Sequence, residues 1–463
     1  MKRFKKNEEY ILTVEDMTDL GFGVGHIDGA AVFVADTVIG DVVKVGIIKV
    51  NSSYLVARVI EYIEYGKMRT VPRCSERACR SCAYKNISYS DECKLKEEGV
   101  RRLFAREAIG VSTAPITPSP ICERYRNKAQ YPVAKIGGEY AVGFFAPKSH
   151  RVTPISDCPL TPEIFSRIVD ALKGFFAKYK LSVYDEENGS GLLRHIYLRR
   201  GEVSGEVLLT LVVTEFDIPA ADELVSLITR EFPEVVGILL NKNARATNVV
   251  LGDEYKTLFG VPYIYDTLGG VRLKITAPSF YQVNHSACEL LYAKARELAA
   301  PTKSDTLLDL YCGAGSIGLS MAHEAGEVIG IEIVESAVLC AKENAAVNGI
   351  ENAHFFTGDA AVTERLLEVA ERELGRKISP DIIILDPPRA GCAEELIRFT
   401  ARLSPKRIVY ISCNPKTLAR DVEIYKSLGY VAETVYPFDL FPETGHVESV
   451  VCLTRRLDVD MRR

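Results

Sequence analysis

The sequence lacks several features that would assign it at once to a class of protein. No apolar run approaches the roughly 18 residues that suggest a membrane span. The first residues, MKRFKKNEEY, do not continue into the apolar core of a signal peptide. The formal net charge of -5 excludes a chain that binds nucleic acid as a polycation, so such contacts would need local basic patches. We expect a cytoplasmic protein without membrane contacts.

Regular cysteine spacing, internal repeats and low-complexity linkers are absent as well. Twelve cysteines are spread unevenly over 463 residues, which argues against a disulfide framework and for reduced thiols with catalytic, metal or packing roles. The length predicts about three domains. Nothing in the sequence indicates the oligomeric state.

The N-terminal segment has the pattern of a small β-barrel. Residues 8–62 alternate apolar and polar side chains, and glycines interrupt them in GFGVGHIDG and at Gly40. This pattern predicts five short strands in a barrel of OB or SH3-like size. We place this first domain at residues 1–63.

A group of cysteines follows the barrel. Cys74, Cys79 and Cys82 fall within nine residues, and Cys158 lies further along in SDCPLTP. Four thiolates can ligate a four-iron cluster. They also suit a closed structural zinc site, and unrelated free thiols are the third possibility.

The middle of the chain is rich in predicted strands. Residues 120–275 contain runs such as GEVLLTLVVTE and VVGILLNKN, and the spacing of apolar residues predicts helices over 93–110 and 161–179. We expect a largely antiparallel α+β domain over residues 64–275, which carries the cysteine group.

The last part of the chain predicts a Rossmann-like nucleoside-binding domain over residues 276–463. The strand TLLDL leads into a turn that contains Tyr311 and Gly313, and the next strand ends at Glu332, 19 residues after Gly313. An acidic side chain about 20 residues after such a turn contacts ribose hydroxyls in dinucleotide folds. Asp359 ends the third strand, at a position that suits an adenine. The run GAGSIG also satisfies G-x-G-x-x-G, so the turn alone does not separate hydride transfer from methyl transfer.

Two later strands end in chemically reactive residues. Asp386 begins Asp-Pro-Pro-Arg after DIIIL, and Cys413 follows RIVYIS. The carboxyl ends of parallel strands share one crevice, so we expect both side chains to face it. Cys413 is a candidate nucleophile. The alternative is a small buried hydrophobic side chain, which is a common role of free cysteine.

Seven segments together resemble a known family. They are the N-terminal barrel, the cysteine group, FYQVN, LDLYCGAG, LDPPRAG, ISCNP-x-T-x-x-RD and FPETGHVESV. With these segments the chain resembles S-adenosylmethionine-dependent RNA uracil-5-methyltransferases, which make 5-methyluridine in ribosomal and transfer RNA. The resemblance implies an α/β protein with an N-terminal TRAM domain, RNA as the partner, S-adenosylmethionine as the cofactor and a [4Fe-4S] cluster, with zinc as the alternative.

The resemblance also implies residue roles. Cys413 would be the nucleophile and Glu448 the base, although Glu448 could instead face solvent and His446 is an alternative proton carrier. Phe280 would help to hold the target base. The expected cofactor contacts are Gln282, Tyr311, Gly313, Ser316, Glu332, Asp359 and Asp386, and the expected cluster ligands are Cys74, Cys79, Cys82 and Cys158. Relatives usually have C-G-G-C where this chain has Cys79-Arg-Ser-Cys82, and Asn or Thr where it has Ser316.

The resemblance favours 23S ribosomal RNA as the substrate, because the barrel and the cysteine group accompany the ribosomal branch of the family. Transfer RNA is the alternative. An exocyclic-amine methyltransferase would use an aromatic side chain after Asp-Pro-Pro, where this chain has Arg389, and would leave Cys413 without a role. A non-catalytic RNA-binding assembly factor is the alternative from another class.

Overall fold

A computed structural model of the protein describes residues 4–74, 76, 78–107, 110–359, 362 and 365–456. Within these ranges the strands form sheets of six, seven, two and eight strands. The expected α/β architecture, with a small N-terminal barrel, a central α+β part and a C-terminal Rossmann-like part, is confirmed. None of the helices in these ranges combines the length and apolarity needed to cross a bilayer.

The N-terminal barrel contains one short strand more than the five expected. Its strands are β1 Glu9–Thr13, β2 Asp16–Met17, β3 Gly23–Ile27, β4 Ala30–Val34, β5 Val42–Val50 and β6 Tyr54–Glu64. They pair in the order β1-β5-β6-β4-β3-β2. The additional strand arises because Asp16 and Met17 pair with β3 for only two residues, too few to leave an alternation pattern. Alternate side chains such as Val32, Val34 and Val45 are fully buried and fill the barrel.

A long helix connects the barrel to the rest of the chain. Helix α1, Tyr89–Arg106, begins where the Ser88 side chain accepts a hydrogen bond from the Asp91 backbone N–H at 3.2 Å. The helix therefore starts four residues earlier than the sequence predicted, because an N-cap can precede the apolar positions of a helix. The predicted end also differs: α1 stops at Arg106, and residues 108–109 of the predicted span lie outside the described residues.

The central part is a seven-stranded sheet with two helices on one face. Its elements are β8 Lys128–Ile136, β9 Glu139–Phe145, β10 Val152–Pro154, α2 Glu163–Lys178, β11 Leu193–Arg200, β12 Val207–Val213, α3 Ala221–Glu231, β13 Val235–Lys242 and β14 Glu254–Gly260. The order is β10-β9-β8-β11-β12-β13-β14, and only β12 and β13 pair in parallel among these strands. The predicted helix over 161–179 corresponds to α2. The short strand β7, Ser112–Thr113, joins the C-terminal sheet instead.

A two-stranded hairpin lies between the central and C-terminal parts. Strands β15 Tyr263–Leu268 and β16 Val271–Thr276 pack against the C-terminal part, where Leu273 and Ile275 share one core with Leu291. The backbone N–H of Lys274 also donates to the Asn344 side-chain oxygen at 2.7 Å. The expected boundary between the second and third domains, after residue 275, thus falls inside β16. The division into domains stays a prediction.

The C-terminal part is an eight-stranded sheet with helices on both faces. Its further elements are α4 His285–Ala299, β17 Thr306–Leu310, α5 Ser316–Met321, β18 Glu327–Glu332, α6 Glu335–Val347, β19 Ala353–Thr357, α7 Glu368–Leu374, β20 Ile382–Leu385, α8 Glu394–Arg402, β21 Arg407–Ser412, α9 Pro415–Ser427, β22 Tyr430–Phe438 and β23 Glu448–Arg455. The order is β19-β18-β17-β20-β21-β23-β22-β7. Strands β17 to β21 run parallel, and the strand order reverses between β17 and β20. Open α/β sheets bind their ligands at such a switch point.

A buried ion cluster joins α1 to the C-terminal part. The Lys96 ammonium group lies 2.6 Å from a Glu92 carboxylate oxygen and 2.8 Å from an Asp439 carboxylate oxygen, and it donates to the Phe441 carbonyl at 3.2 Å. The Lys96, Glu92 and Asp439 side chains are at most 3% exposed. Asp439 follows β22, so this cluster fixes α1 against the strand ends of the last sheet.

We predict that Lys96→Met destabilises the protein by ~3–5 kcal/mol, because it leaves two buried carboxyl groups without their cation. Denaturant unfolding followed by circular dichroism would measure the loss. The matched control is Lys94→Met on the same helix, since Lys94 is 74% exposed and forms a surface ion pair with Asp91. Equal stability of the two variants would contradict a structural role for the buried ammonium group.

Candidate active site

The turn after β17 reverses the chain through residues with left-handed backbone conformations. Tyr311, Gly313 and Gly315 all have positive φ values, of 64°, 55° and 81°. A β-carbon at Gly315 would lie 2.9 Å from the Phe355 ring, so no larger side chain fits there. The chain therefore reverses sharply and enters α5 at Ser316, as the sequence predicted.

Glu332 holds this turn from the end of the neighbouring strand. One carboxylate oxygen accepts from the Gly313 backbone N–H at 3.1 Å, and the other accepts from the Val334 backbone N–H at 2.9 Å. Each oxygen keeps a lone pair for a further donor. The side chain is thus orientated at the strand end, where ribose hydroxyls would meet it.

The residues below the turn are buried and polar. Asp309 accepts from the Gly318 backbone N–H at 2.9 Å, while its other carboxyl oxygen has no hydrogen-bond partner among the described residues. Burial, with repulsion from Asp386 and Glu332, raises the pKa of Asp309 to about 7, although the hydrogen bond from Gly318 lowers it. The Ser316 hydroxyl lies 2.7 Å from the Tyr292 hydroxyl, so this side chain has a hydrogen-bond partner within the protein.

The other expected cofactor residues differ in how far their side chains are exposed. Asp359 follows β19 and is exposed, Tyr311 is half-buried, and Gln282 is 8% exposed at the start of α4. Ile333 follows Glu332 and is 59% exposed, which leaves an apolar surface beside a polar strand end. Ile333 was not predicted as a cofactor contact, although its position directly after Glu332 could have identified it.

Strand directions bring Asp386, Cys413 and Glu448 to one edge of the sheet. Asp386 and Cys413 follow the parallel neighbours β20 and β21. Strand β23 runs antiparallel to β21, with Ser449 opposite Ser412, so its first residue Glu448 lies where β21 ends. The expectation that Asp386 and Cys413 face one crevice agrees with this arrangement, and Glu448 joins them.

Burial and mutual repulsion shift the pKa values of these three acids upwards. Burial raises the pKa of Asp386 to about 7. Burial, with repulsion from Asp386, raises the pKa of Glu448 to about 8. Burial, with repulsion from both carboxylates, raises the pKa of Cys413 to about 11. Glu448 is 3% exposed, so a solvent-facing position for it is wrong.

Arg389 supplies the positive charge of this group. Its guanidinium lowers the pKa of both Cys413 and Glu448 and so opposes the effect of burial. The Asn414 side-chain amide donates to the Arg389 carbonyl at 3.0 Å, which ties Arg389 to the residue after Cys413. The guanidinium also lies 3.2 Å from the His446 Nε2 atom. In the sequence, Arg389 was considered only because it stands where other methyltransferases have an aromatic residue. Its positive charge directly after Asp-Pro-Pro could have identified it as part of the site.

His446 has a different environment from Glu448. Burial and the neighbouring Arg389 lower the pKa of His446, so its ring is neutral at pH 7. The ring packs edge-on against Phe441 at a centroid distance of 5.8 Å. Its contacts with Arg389 and Phe441 favour a positioning role over proton transfer.

Cys413 opens into a cleft of about 910 Å³ between three parts of the chain. The walls are the ends of β21 and β23, helix α1 with Arg102 and Arg106, and barrel residues 16–20. The barrel loop touches the C-terminal part directly, because a β-carbon at Gly445 would lie only 1.7 Å from the Asp19 carbonyl oxygen. The cleft is thus large enough for an extended ligand that contacts the thiol.

The FYQVN segment combines one exposed aromatic ring with structural side chains. Phe280 is 71% exposed. The Tyr281 hydroxyl donates to Asp266 at 2.9 Å, and the Asn284 side chain caps α4 by accepting from the Ala287 backbone N–H at 3.2 Å. Phe280 is therefore the side chain of this segment that is available to stack on a ligand.

The cysteines predicted as metal ligands line one small cavity. Cys74, Cys79, Cys82 and Cys158 all border a space of about 160 Å³, together with Cys122, which the sequence analysis did not count. Burial raises the pKa of Cys158, and neighbouring thiols raise it further. Four thiols around one cavity fit the donor set of an iron-sulfur cluster or of zinc. Within the described residues, however, no group of three or more His, Cys, Asp and Glu side chains is close enough to hold a metal ion.

Two family models match the sequence. The model described as tRNA (Uracil-5-)-methyltransferase matches residues 243–456. The model described as TRAM domain matches residues 3–60, so the expected TRAM domain is confirmed.

Similar proteins cover nearly the whole chain. A protein of Clostridium acetobutylicum described as an uncharacterized RNA methyltransferase is 36% identical over 97% of this chain and 98% of its own length. A protein of Halalkalibacterium halodurans with the same description is 37% identical over 97% of each chain. The solved structure of Pyrococcus abyssi tRNA (uracil-54, C5)-methyltransferase in complex with S-adenosyl-L-homocysteine is similar with a TM-score of 0.76 and 25% identity, over 96% of this chain and 100% of that one.

Proposed function

The chain belongs to the S-adenosylmethionine-dependent RNA uracil-5-methyltransferases, and from this membership we propose that it methylates carbon 5 of a uridine in 23S ribosomal RNA. The observation that carries the proposal is the placement of Cys413 and Glu448 beside one another at the edge of the sheet that also bears the glycine turn. A thiol and a carboxyl group are the two groups that this chemistry requires.

The thiol is needed because carbon 5 of uracil is a weak nucleophile. The Cys413 thiolate adds to carbon 6, and the ring electrons form an enolate that makes carbon 5 nucleophilic. Arg389 favours the thiolate because its positive charge lowers the pKa of Cys413. S-adenosylmethionine supplies the methyl group that carbon 5 then takes up.

The carboxyl group is needed to complete the reaction. Glu448 takes the proton from carbon 5, the electrons of that C–H bond restore the ring double bond, and the Cys413 thiolate leaves carbon 6. A pKa near 8 gives Glu448 enough basicity to accept this proton, while about a tenth of it stays ionised at pH 7. Arg389 limits the rise in that pKa.

The cofactor site follows from the glycine turn. We assign Glu332 to the ribose hydroxyls and the Gly313 region to the methyl donor, with Asp359 and Ile333 beside the adenine. Gln282, Tyr311, Ser316 and Asp386 complete the cofactor contacts. The buried Asp309 carboxylate supports the turn from below, because it accepts from the Gly318 backbone N–H at 2.9 Å.

The target base must leave its RNA stack to reach Cys413, because carbon 6 of a stacked and paired base is not accessible to a side chain. The exposed Phe280 ring is placed to stack on a base, and Arg102 and Arg106 are placed to contact phosphates. The barrel loop at residues 16–20 closes the same cleft, which supports an RNA-binding role for the N-terminal domain.

Two observations favour different RNA substrates. The TRAM domain and the four thiols around one cavity support ribosomal RNA, because the resemblance assigns that combination to the ribosomal branch. The likeness to the Pyrococcus abyssi transfer RNA enzyme supports a transfer RNA substrate as the second candidate. A test with both RNAs separates them.

We also propose that Cys74, Cys79, Cys82 and Cys158 hold a [4Fe-4S] cluster. The cluster would join the segment after the barrel to the loop that precedes α2, since Cys158 lies in that loop. Zinc in the same thiols is the alternative.

Incubation with S-adenosylmethionine and 5-fluorouridine-substituted RNA should give a covalent protein–RNA adduct, because fluorine at carbon 5 cannot be removed as a proton. Gel electrophoresis under denaturing conditions would detect the adduct. We expect it with 23S ribosomal RNA and not with transfer RNA. Cys413→Ala should abolish the adduct, and Cys452→Ala, at a half-buried cysteine of β23, should keep it. An adduct in Cys413→Ala, or none with either RNA, would exclude the mechanism.

With unmodified RNA, Glu448→Gln should accumulate an adduct that already carries the methyl group, because the proton on carbon 5 then has no acceptor. In the wild type, the rate of adduct breakdown should rise about tenfold per pH unit from pH 6 towards 8 and then level off, since only ionised Glu448 accepts the proton. Rapid-quench kinetics with a labelled methyl group measures both. The control Glu433→Gln changes an exposed carboxylate on β22 and should behave as the wild type. Normal turnover by Glu448→Gln would refute its role as base.

Protein purified without oxygen should contain about four iron and four sulfide ions per chain and absorb visible light broadly. Cys158→Ser should lose most of the iron, whereas Cys122→Ser should retain it if Cys122 only borders the cavity. One zinc ion per chain, or iron that depends on Cys122, would contradict the assignment of ligands.

A further inference from the structure

We propose that the central sheet carries a second RNA subsite, a pocket beside His195 that takes up one unstacked nucleobase of the substrate RNA. The proposal rests on the proposed function only in taking RNA as the substrate. The pocket is separate from the cleft at Cys413 and shares no lining residue with it.

The pocket is a cavity of about 640 Å³ on the sheet face opposite α2 and α3. Strands β8 and β11 form its floor, and residues 145–152 and 183–187 form its sides. The His150 ring contacts the Glu186 carboxylate and so connects the two sides. The pocket is thus framed by contacts within the protein and has the size range of small-molecule sites.

Aromatic rings offer a stacking surface inside the pocket. The Phe145 ring is 37% exposed, and its centroid lies 5.4 Å from that of His150 and 6.2 Å from that of His195. Every base has a π face that can stack on such rings, and proteins that bind single-stranded RNA use exposed aromatics in this way.

His195 supplies a polar atom that lacks a partner. The side chain is 8% exposed, and its Nδ1 atom makes no hydrogen bond within the described residues. A buried polar atom of this kind is costly unless a ligand pairs with it. Burial, helped by the neighbouring Arg194, lowers the pKa of His195 to about 4, so the ring is neutral and can pair with a donor or an acceptor on a base edge.

The charges around the pocket leave no excess of positive charge for a phosphate group. Lys135, Arg151 and Arg194 border the cavity. Asp185, Glu186 and Glu187 border it as well and would repel a phosphate. The Arg194 guanidinium is already used, because it donates to the Asn243 and Arg245 carbonyls at 2.8 and 2.7 Å and stacks over Tyr184. The ligand that fits is therefore planar, uncharged and polar at its edge, as a nucleobase is.

Strand β11 sets the distance between this pocket and the region of the target base. His195, Tyr197 and Arg199 alternate along β11 and so lie on one face of the sheet, and four residues of strand span ~13 Å. Arg199 donates to the Ser279 carbonyl, directly before Phe280. One RNA segment can therefore place its target near Phe280 and a second unstacked base near His195.

The test compares Phe145→Ala, His195→Phe and the control Phe259→Ala, whose ring is 38% exposed on the edge strand β14. The RNA is 23S ribosomal RNA or a transfer RNA transcript, whichever the wild type binds more tightly. We expect Phe145→Ala and His195→Phe to raise Kd roughly tenfold, with kcat at saturating RNA unchanged and the control unaffected. Chemical probing of the bases should reveal one nucleotide, besides the target, that the wild type protects and both variants leave reactive.

Equal binding by Phe145→Ala and Phe259→Ala, or the absence of a second protected nucleotide, would overturn the proposal. A second protected nucleotide on an RNA that is bound but never methylated would support the pocket and refute the proposed function. The two inferences therefore fail separately.

Discussion

The cleft at Cys413 depends on the buried ammonium group of Lys96. Helix α1 forms one wall of the cleft, and the strand ends of the last sheet form another, yet the two walls lie more than 300 residues apart in the chain. Lys96 joins them because it contacts Glu92 in its own helix and Asp439 after β22. Two buried carboxylates beside one cation destabilise the fold unless the three groups keep their positions. The contact therefore fixes the width of the cleft as well as the stability of the fold.

Within that cleft, strand direction determines which groups can act together. A sheet of parallel strands would bring only the carboxyl ends of its strands to the reactive edge. The antiparallel strand β23 brings the beginning of a strand there, and so Glu448 reaches Cys413 although 34 residues of chain, including a helix and strand β22, lie between them. The insertion of β23 beside β21 also places His446, two residues before Glu448, next to the Arg389 guanidinium. His446 thus connects this cation to the segment that carries the base.

The sequence was sufficient to predict the residues that follow buried strands, because an apolar run ending in Asp386, Cys413 or Glu332 marks both the strand and its end. It did not predict contacts that depend on packing between distant segments. The approach of the barrel loop to Gly445 and the packing of the β15–β16 hairpin on the C-terminal core leave no periodic signal. Nor did it reveal that Cys122 borders the cysteine cavity, since that thiol lies outside the C-x4-C-x2-C spacing.

The elevated pKa values also explain how a chain with a formal charge of -5 can receive RNA. Two of the carboxyl groups nearest the thiol, Asp386 and Glu448, have pKa values of about 7 and 8, so both are largely or partly protonated at neutral pH. The edge of the cleft carries Arg102, Arg106 and Lys416. These cations are balanced in part, because Asp16 and Asp19 also line the cleft and Asp16 pairs with Arg102 at 2.9 Å. Burial removes negative charge beside the thiol, where a polyanion must approach. The desolvation that makes Glu448 a stronger base therefore also reduces the repulsion of its substrate.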